Sequence, residues 1–273
     1  MPFLIFYYFS NMNKYHIIKN YIKYYFRAKT KYSIHSPFVF EFITKVLEQK
    51  TLRNEQLTGI EKLRKDLLVS SDEINVIDFG AGAGSTQTKV RKVSDIAGNS
   101  AKSKKYANLL YRIIAYYKLR NILELGTSAG ISSMYMAAAS HEIKLTTIEG
   151  CPETARLAEE NFKSLQIKNI HQVIGNFDIV LPEVLKQGNH FDCIFFDGNH
   201  REDATLRYFE QSLAHTGNDS VFIFDDINWS EGMQSAWNNI KNHPSVTVTI
   251  NLFFLGIVFF RKELSKEDFI IRF

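Results

Sequence analysis

Glu124-Leu-Gly-Thr-Ser-Ala-Gly-Ile-Ser132 leaves an apolar run and opens a helical one. Gly126 and Gly130 let the backbone pass close to a ligand and start the next helix. A lone glycine loop says little, so its reading depends on the sequence around it. Beyond residue 119, apolar runs at about 121–126, 143–149, 169–175, 191–197 and 219–225 read as strands. Between them, helical patterns lie at about 130–140, 152–165, 178–186, 201–214 and 229–242. In the second helix Ala155, Ala158, Phe162 and Leu165 form one stripe, with Glu159, Glu160 and Lys163 off it. Regular alternation of this kind predicts an α/β fold, a parallel sheet covered by helices on both faces. Two last runs, 246–250 and 255–260, are close enough to pair antiparallel, and a charged tail follows.

Open α/β sheets bind ligands beyond the carboxyl ends of their strands, where neighbouring connections diverge. The first strand ends in the loop quoted above. The second, Lys144-Leu-Thr-Thr-Ile-Glu149, ends in a carboxylate that can accept both hydroxyls of a ribose. The third ends at Gly175-Asn176-Phe177, which offers an amide and an aromatic edge to an adenine. The fourth ends at Asp197, followed by Gly198-Asn199-His200, and the fifth at Asp225-Asp226. Three acids at adjacent strand ends need a cation or hydrogen bonds to offset their repulsion. Oxygen ligands suit Mg²⁺ or another hard divalent ion, although acids at strand ends also cap helices and orient substrates. His200 can take a proton from an acceptor hydroxyl, or stand solvated at a helix start. Cys151 reads as a buried thiol, and Trp229 and Trp237 as packing residues of one helix.

These residues resemble the class I S-adenosylmethionine-dependent methyltransferases, with the nearest likeness to small-molecule O-methyltransferases of the catechol and macrocin type. The resemblance spans roughly residues 101–261. It implies a Rossmann-like sheet of seven strands, five parallel plus the terminal hairpin, whose last strand inserts antiparallel. It implies that Glu124, Gly126, Thr127, Ser128, Gly130 and Ser132 hold the methionine part of S-adenosylmethionine, and that Glu149 binds its ribose. Asn176 and Phe177 would then line the adenine side, with Asp197 at the cofactor as well. Asp197, Asp225 and Asp226 match the positions of a divalent metal in the metal-dependent branches, and Asp197 and His200 are the candidate catalytic pair. Catechol-type enzymes carry a lysine near the fourth strand end and an Asp-Asn pair at the fifth. Here His200 and Asp225-Asp226 stand instead, closer to the sugar-modifying branch.

Residues 1–100 read as a basic, helical extension that forms a lid or an acceptor-side region, and 101–273 as the cofactor-binding domain. Helices are expected from Ser36-Pro37 to Leu47, over about 55–68 and over about 103–117. Val76-Ile-Asp-Phe-Gly-Ala-Gly-Ala-Gly84 is richer in glycine than the loop at 126–130. It lacks a following packed helix and a later strand ending in an acid, so it reads as a lid or an acceptor-side loop, whose glycines would permit motion. The first 40 residues carry Lys14, Lys19, Lys23, Arg27, Lys29 and Lys31 without one acid. That pattern suits a Tyr-rich helix packed on the main domain, or a contact with nucleic acid or an anionic membrane surface.

With 273 residues, 45% of them hydrophobic, the chain can bury a full core without staples. Cys151 and Cys193 make neither a disulfide framework nor a C-x-x-C zinc site, which fits a reducing, cytoplasmic setting. The apolar start Met1-Pro-Phe-Leu-Ile-Phe-Tyr-Tyr-Phe9 is shorter than the roughly 20 residues of a membrane span, and Met12 offers an alternative start. The expected partner is a small-molecule acceptor. Oligomeric state is open, a homodimer included. The alternatives are an RNA methyltransferase using the basic arm, a nicotinamide-dependent oxidoreductase, and a cofactor-binding protein without catalysis. The oxidoreductase reading is weakened by the absence of a third glycine in Gly126-Thr-Ser-Ala-Gly130.

Overall fold

In the computed structural model, residues 14–50, 54–77, 88–100, 103–187 and 190–273 are described. The glycine-rich stretch at 78–87, read as a lid or an acceptor-side loop, lies outside them. The chain runs α1 (Lys14–Arg27), α2 (Pro37–Phe42) continued by a π-turn (Ile43–Leu47), and α3 (Glu55–Leu68). Then come β1 (Glu73–Ile77), β2 (Thr88–Lys92), α4 (Val93–Ser100) and α5 (Lys104–Tyr117). The alternating part follows as β3 (Asn121–Leu125), α6 (Ile131–Ala137), β4 (Lys144–Glu149), α7 (Pro152–Ser164), β5 (Ile170–Ile174) and α8 (Phe177–Gln187). It continues through β6 (Cys193–Phe196), α9 (Glu202–Leu213), β7 (Val221–Phe224) and α10 (Glu231–Asn242). The chain closes with β8 (Val248–Asn251), β9 (Gly256–Phe259) and β10 (Glu267–Ile270).

The main sheet has the order β10-β8-β9-β7-β6-β3-β4-β5. Only β9 runs against its neighbours, β7 and β8. The chain builds outward from β3 through β4 to β5, then crosses back to lay β6 on the other flank of β3. The crevice between β3 and β6 is therefore the switch point at which such sheets bind ligands. The inner strands are apolar at nearly every position because both faces are covered. In β6 and β7, Cys193, Phe195, Val221 and Ile223 face one core, and Ile194, Phe196, Phe222 and Phe224 the other. The first core is closed by α2–α7 and the second by α8, α9 and α10.

The expected strands and helices of residues 121–260 are present, with eight strands in the sheet rather than seven. The extra one is β10, within the stretch read as a charged tail. It pairs parallel to β8, where Phe269 is buried, Thr249 Oγ1 donates to Asp268 (2.7 Å) and Lys241 Nζ binds the same carboxylate (2.7 Å). Only one side chain of that strand is deeply buried, so its sequence has no apolar alternation to betray it. β2 was also unexpected. It is exposed at all five positions and pairs antiparallel with β1 in a separate two-stranded sheet. The apolar run before the rejected glycine loop is thus not a strand of the main sheet. Trp229 precedes α10, whose N-cap Ser230 accepts from the Met233 amide (3.1 Å), so the two tryptophans do not share a helix.

The N-terminal helices contribute to the same core as the sheet: Val39, Phe42, Val46 and Ile60 pack with Ile122, Phe195 and Phe259. In α3, Glu61 accepts from Tyr135 Oη of α6 (2.7 Å) and pairs with Arg64 (3.1 Å). Beyond α1 the chain adds a bridge to β10: the Lys29 amide donates to Ile270 (2.8 Å) and the Arg272 amide to Lys29 (2.9 Å). Tyr24 Oη donates to the Ile271 carbonyl, and α1 sits on Phe253 through Ile17 and Tyr24, joined by Ala28 just after the helix.

Candidate active site

The β3–α6 loop needs both of its glycines. Gly126 has φ +106°, and a Cβ there would collide with the Asp197 carbonyl at the end of β6. Gly130 has φ +79°, and a Cβ would strike the Phe162 ring of α7. The close approach of β3 to β6, and of α6 to α7, is therefore written into these two positions. Between them Ser128 is held at φ +50°, a conformation non-glycine residues rarely adopt. Its hydroxyl is buried without a hydrogen-bond partner among the described residues.

Glu124 lies beneath this loop, fully buried. Its carboxylate accepts from Ser132 Oγ (2.5 Å), Ser133 Oγ and Thr147 Oγ1 (2.7 Å), and Thr127 Oγ1 lies 2.7 Å from Thr147 Oγ1. The acid thus ties the first turn of α6 and strand β4 to the loop. Ser132 and Thr127 belong to that support rather than to an open surface. Glu149, at the end of β4, accepts from the Ser128 amide (2.9 Å) through one oxygen and the Cys151 amide (2.9 Å) through the other. Burial raises its carboxyl above the usual range, against the lowering pull of the Cys151, Ser128, Gly150 and Thr127 amides. Cys151 is buried as expected, its sulfur accepting from the Ile77 amide (3.3 Å). β1 therefore ends beside the Glu149 turn.

At the third strand end, Asn176 caps α8: its Oδ1 accepts from the Asp178 amide (2.9 Å). Phe177 lies edge-on to Tyr208 (5.9 Å), and a Cβ on Gly198 would run into its ring. Phe177 thus borders the loop after β6, on the Asp197 side of the crevice.

Asp197, His200 and Asp225 offer ligand atoms that all lie within 4.8 Å of one another. Asp197 follows β6, whose end is fixed by the Asp197 amide donating to Leu125 O (2.9 Å). Asp225 follows β7 and is buried, its amide donating to Phe196 O (2.9 Å). Asp226 stands beside them but outside this group, at φ +53°. Its carbonyl accepts from the Trp229 amide (2.9 Å). Of the expected trio of acids, Asp197 and Asp225 are thus grouped with the His200 imidazole.

Two further residues border the cluster without having been read from the sequence. Tyr106, in the first turn of α5, donates to Leu252 O (3.2 Å) and lies edge-on to Phe254 (5.8 Å). Burial pushes its phenol well above its ordinary range, and Tyr24, Asp225, Tyr21 and Asp226 add to the shift. It stays a neutral donor beside the acids. Asn199, at φ +52°, donates to Tyr208 Oη (3.1 Å) while its Oδ1 is buried without a partner. No spacing rule connects Tyr106 to a strand end 119 residues later. Asn199 was visible only as the residue before His200.

Residues 123–227 match the family model described as a methyltransferase domain. A catechol O-methyltransferase from Niastella koreensis is 31% identical over 111 residues, 40% of this chain and 49% of that protein. The chain spans about half the length of the curated relatives it matches. An O-methyltransferase from Bacillus cereus, solved in complex with S-adenosylhomocysteine, superposes with a TM-score of 0.53 at 18% identity, covering 81% of this chain and 97% of that one. An S-adenosylhomocysteine-bound methyltransferase from Podospora anserina gives 0.58 at 11% identity, covering 93% and 99%. The chain thus has the Rossmann-like fold of these methyltransferases, and its residues 123–227 are similar to the methyltransferase-domain family.

Proposed function

We propose that the protein is an S-adenosylmethionine-dependent O-methyltransferase acting on a small-molecule hydroxyl, with a divalent ion at the acceptor. The observation that carries this reading is the meeting, across one switch-point crevice, of the Ser128–Glu149 loop on one side with Asp197, His200 and Asp225 on the other. S-adenosylmethionine would supply an electrophilic methyl group. Glu149 would receive the ribose hydroxyls, Ser128 its unsatisfied hydroxyl's partner, and Phe177 an adenine edge. Glu124 acts at one remove, holding the loop and α6 in place.

The donor set of two carboxylates and one imidazole fits Mg²⁺, Mn²⁺ or a similar ion. Asp197, His200 and Asp225 would hold it, and the chemistry supplied is a lowered pKa and a fixed position for the acceptor oxygen. Tyr106 narrows the approach and donates without losing its proton. A metal-free reading rests on the same geometry, with His200 taking the acceptor proton between the two carboxylates. Against the nicotinamide alternative stand the antiparallel β9 and the methyltransferase-domain match.

The test is formation of S-adenosylhomocysteine from S-adenosylmethionine across a panel of phenolic and sugar hydroxyls. With a divalent ion at work, thorough chelation and Asp225→Ala each lower turnover about a hundredfold or more. Turnover that survives chelation but falls in His200→Ala favours the metal-free reading. No methyl transfer to any hydroxyl, by protein that binds the cofactor, contradicts both.

A further inference from the structure

Helix α1 has two apolar faces and only one of them is covered. Ile17, Tyr24 and Ala28 pack on Phe253, with Tyr21 edge-on to the same ring (5.0 Å). About a quarter-turn or more away, Ile18, Ile22, Tyr25 and Phe26 face outward, with Phe26 81% and Ile22 49% exposed. Tyr32, just beyond the helix, is 87% exposed. Lys19, Lys23 and Arg27, four residues apart, run as an exposed row beside this face, and Lys29 follows. Arg272 stacks over Tyr25 (4.3 Å) and adds another cation. The sequence ahead of the helix, Phe3-Leu-Ile-Phe-Tyr-Tyr-Phe9, is apolar as well. No helix among the described residues is long and apolar enough to cross a membrane.

We infer that the outer face of α1 docks the protein on an anionic lipid surface, lying in the plane of the headgroups. Side chains of this kind bury among acyl chains while flanking lysines and arginines meet lipid phosphates and carboxylates. A second copy of the chain fits less well. A self-complementary contact would bring the Lys19-Lys23-Arg27 rows together, and the first 40 residues hold no acid to pair with them. RNA fits less well too: Tyr25, Phe26 and Tyr32 could stack on bases, but the aliphatic Ile18 and Ile22 beside them gain burial only in an apolar medium. The inner face of the helix is fixed to the body by Tyr24 and by the Lys29–Ile271 bridge, so the exposed face is held at one orientation. The inference is independent of the proposed chemistry.

The experiment is co-sedimentation of the full chain with vesicles of phosphatidylcholine alone and of phosphatidylcholine with one-third phosphatidylserine. Binding is expected to the second and not the first. Lys19→Ala with Lys23→Ala and Arg27→Ala weakens it on the order of a hundredfold, about fivefold for each cation. Ile22→Ser with Phe26→Ser weakens it about tenfold or more. These side chains are exposed, so both variants keep the wild-type melting temperature. Absence of binding to the anionic vesicles overturns the inference, as does binding that Ile22→Ser and Phe26→Ser leave unchanged. Salt-sensitive RNA binding in place of lipid binding, or a dimer broken by the same apolar changes in the absence of lipid, overturns it as well.

Discussion

Glu149 is awkwardly placed for a carboxylate, because it is buried at the end of β4. Burial raises its carboxyl, so folding favours the protonated form. Such a group adds stability below the ordinary glutamate pKa of about 4.3, and that contribution is lost as pH rises through the higher folded value. In protein free of S-adenosylmethionine, the melting temperature of the wild type relative to Glu149→Gln should therefore fall as pH rises above the ordinary glutamate range. A flat or rising difference in paired melts would contradict this. Glu124 makes the opposite case, since three hydroxyls satisfy its buried carboxylate. Glu124→Ala strands those donors and should cost about 3 kcal/mol or more in urea unfolding, against about 1 kcal/mol for Ser133→Ala. Both acids were legible in the sequence because each ends or nearly ends a strand beside a glycine loop. Their division of labour was not, because it depends on Thr147 and Ser133 folding back onto Glu124 and on two amides closing over Glu149.

At the scale of elements, the strands easiest to read were those buried on both faces. β6 and β7 are apolar at every position, with side chains alternating between two cores. β2 and β10 escaped because exposed strands need no apolar pattern. β10 matters in spite of this, since it covers the edge of β8 and anchors the segment after α1. Phe269→Ala should lower stability by about 3 kcal/mol in denaturant unfolding. It should also raise exchange of the Lys29 and Arg272 amides with solvent, because their bridge depends on β10. Unchanged exchange there would mean that the arm is held by α1 alone. The β3–α6 loop gives the second test at this scale. Gly126→Ala puts a Cβ against the Asp197 carbonyl, so it should loosen β3 from β6 and weaken cofactor binding more than tenfold.

Across the whole molecule, residues far apart in sequence meet at one end of the sheet. Glu149 closes one half of it, Asp197 and Asp225 the other, and Tyr106 and the Phe253-Phe254 turn border the second half from outside the strand ends. The order of strand ends was readable because each lies directly after an apolar run. The border was not, because Tyr106 comes from a helix that precedes the sheet, and His200 joins the acids only through the backbone path after β6. Asp226 shows the same limit. Its left-handed backbone, next to Asp225 at the same strand end, is announced by no residue pattern. The most direct test of the central claim is calorimetric titration of S-adenosylmethionine into the wild-type chain and Glu149→Ala. The account predicts one site per chain in the wild type and affinity at least about thirtyfold weaker in the variant, or about 2 kcal/mol. No binding by well-folded wild-type protein, or equal affinity in Glu149→Ala, would contradict it.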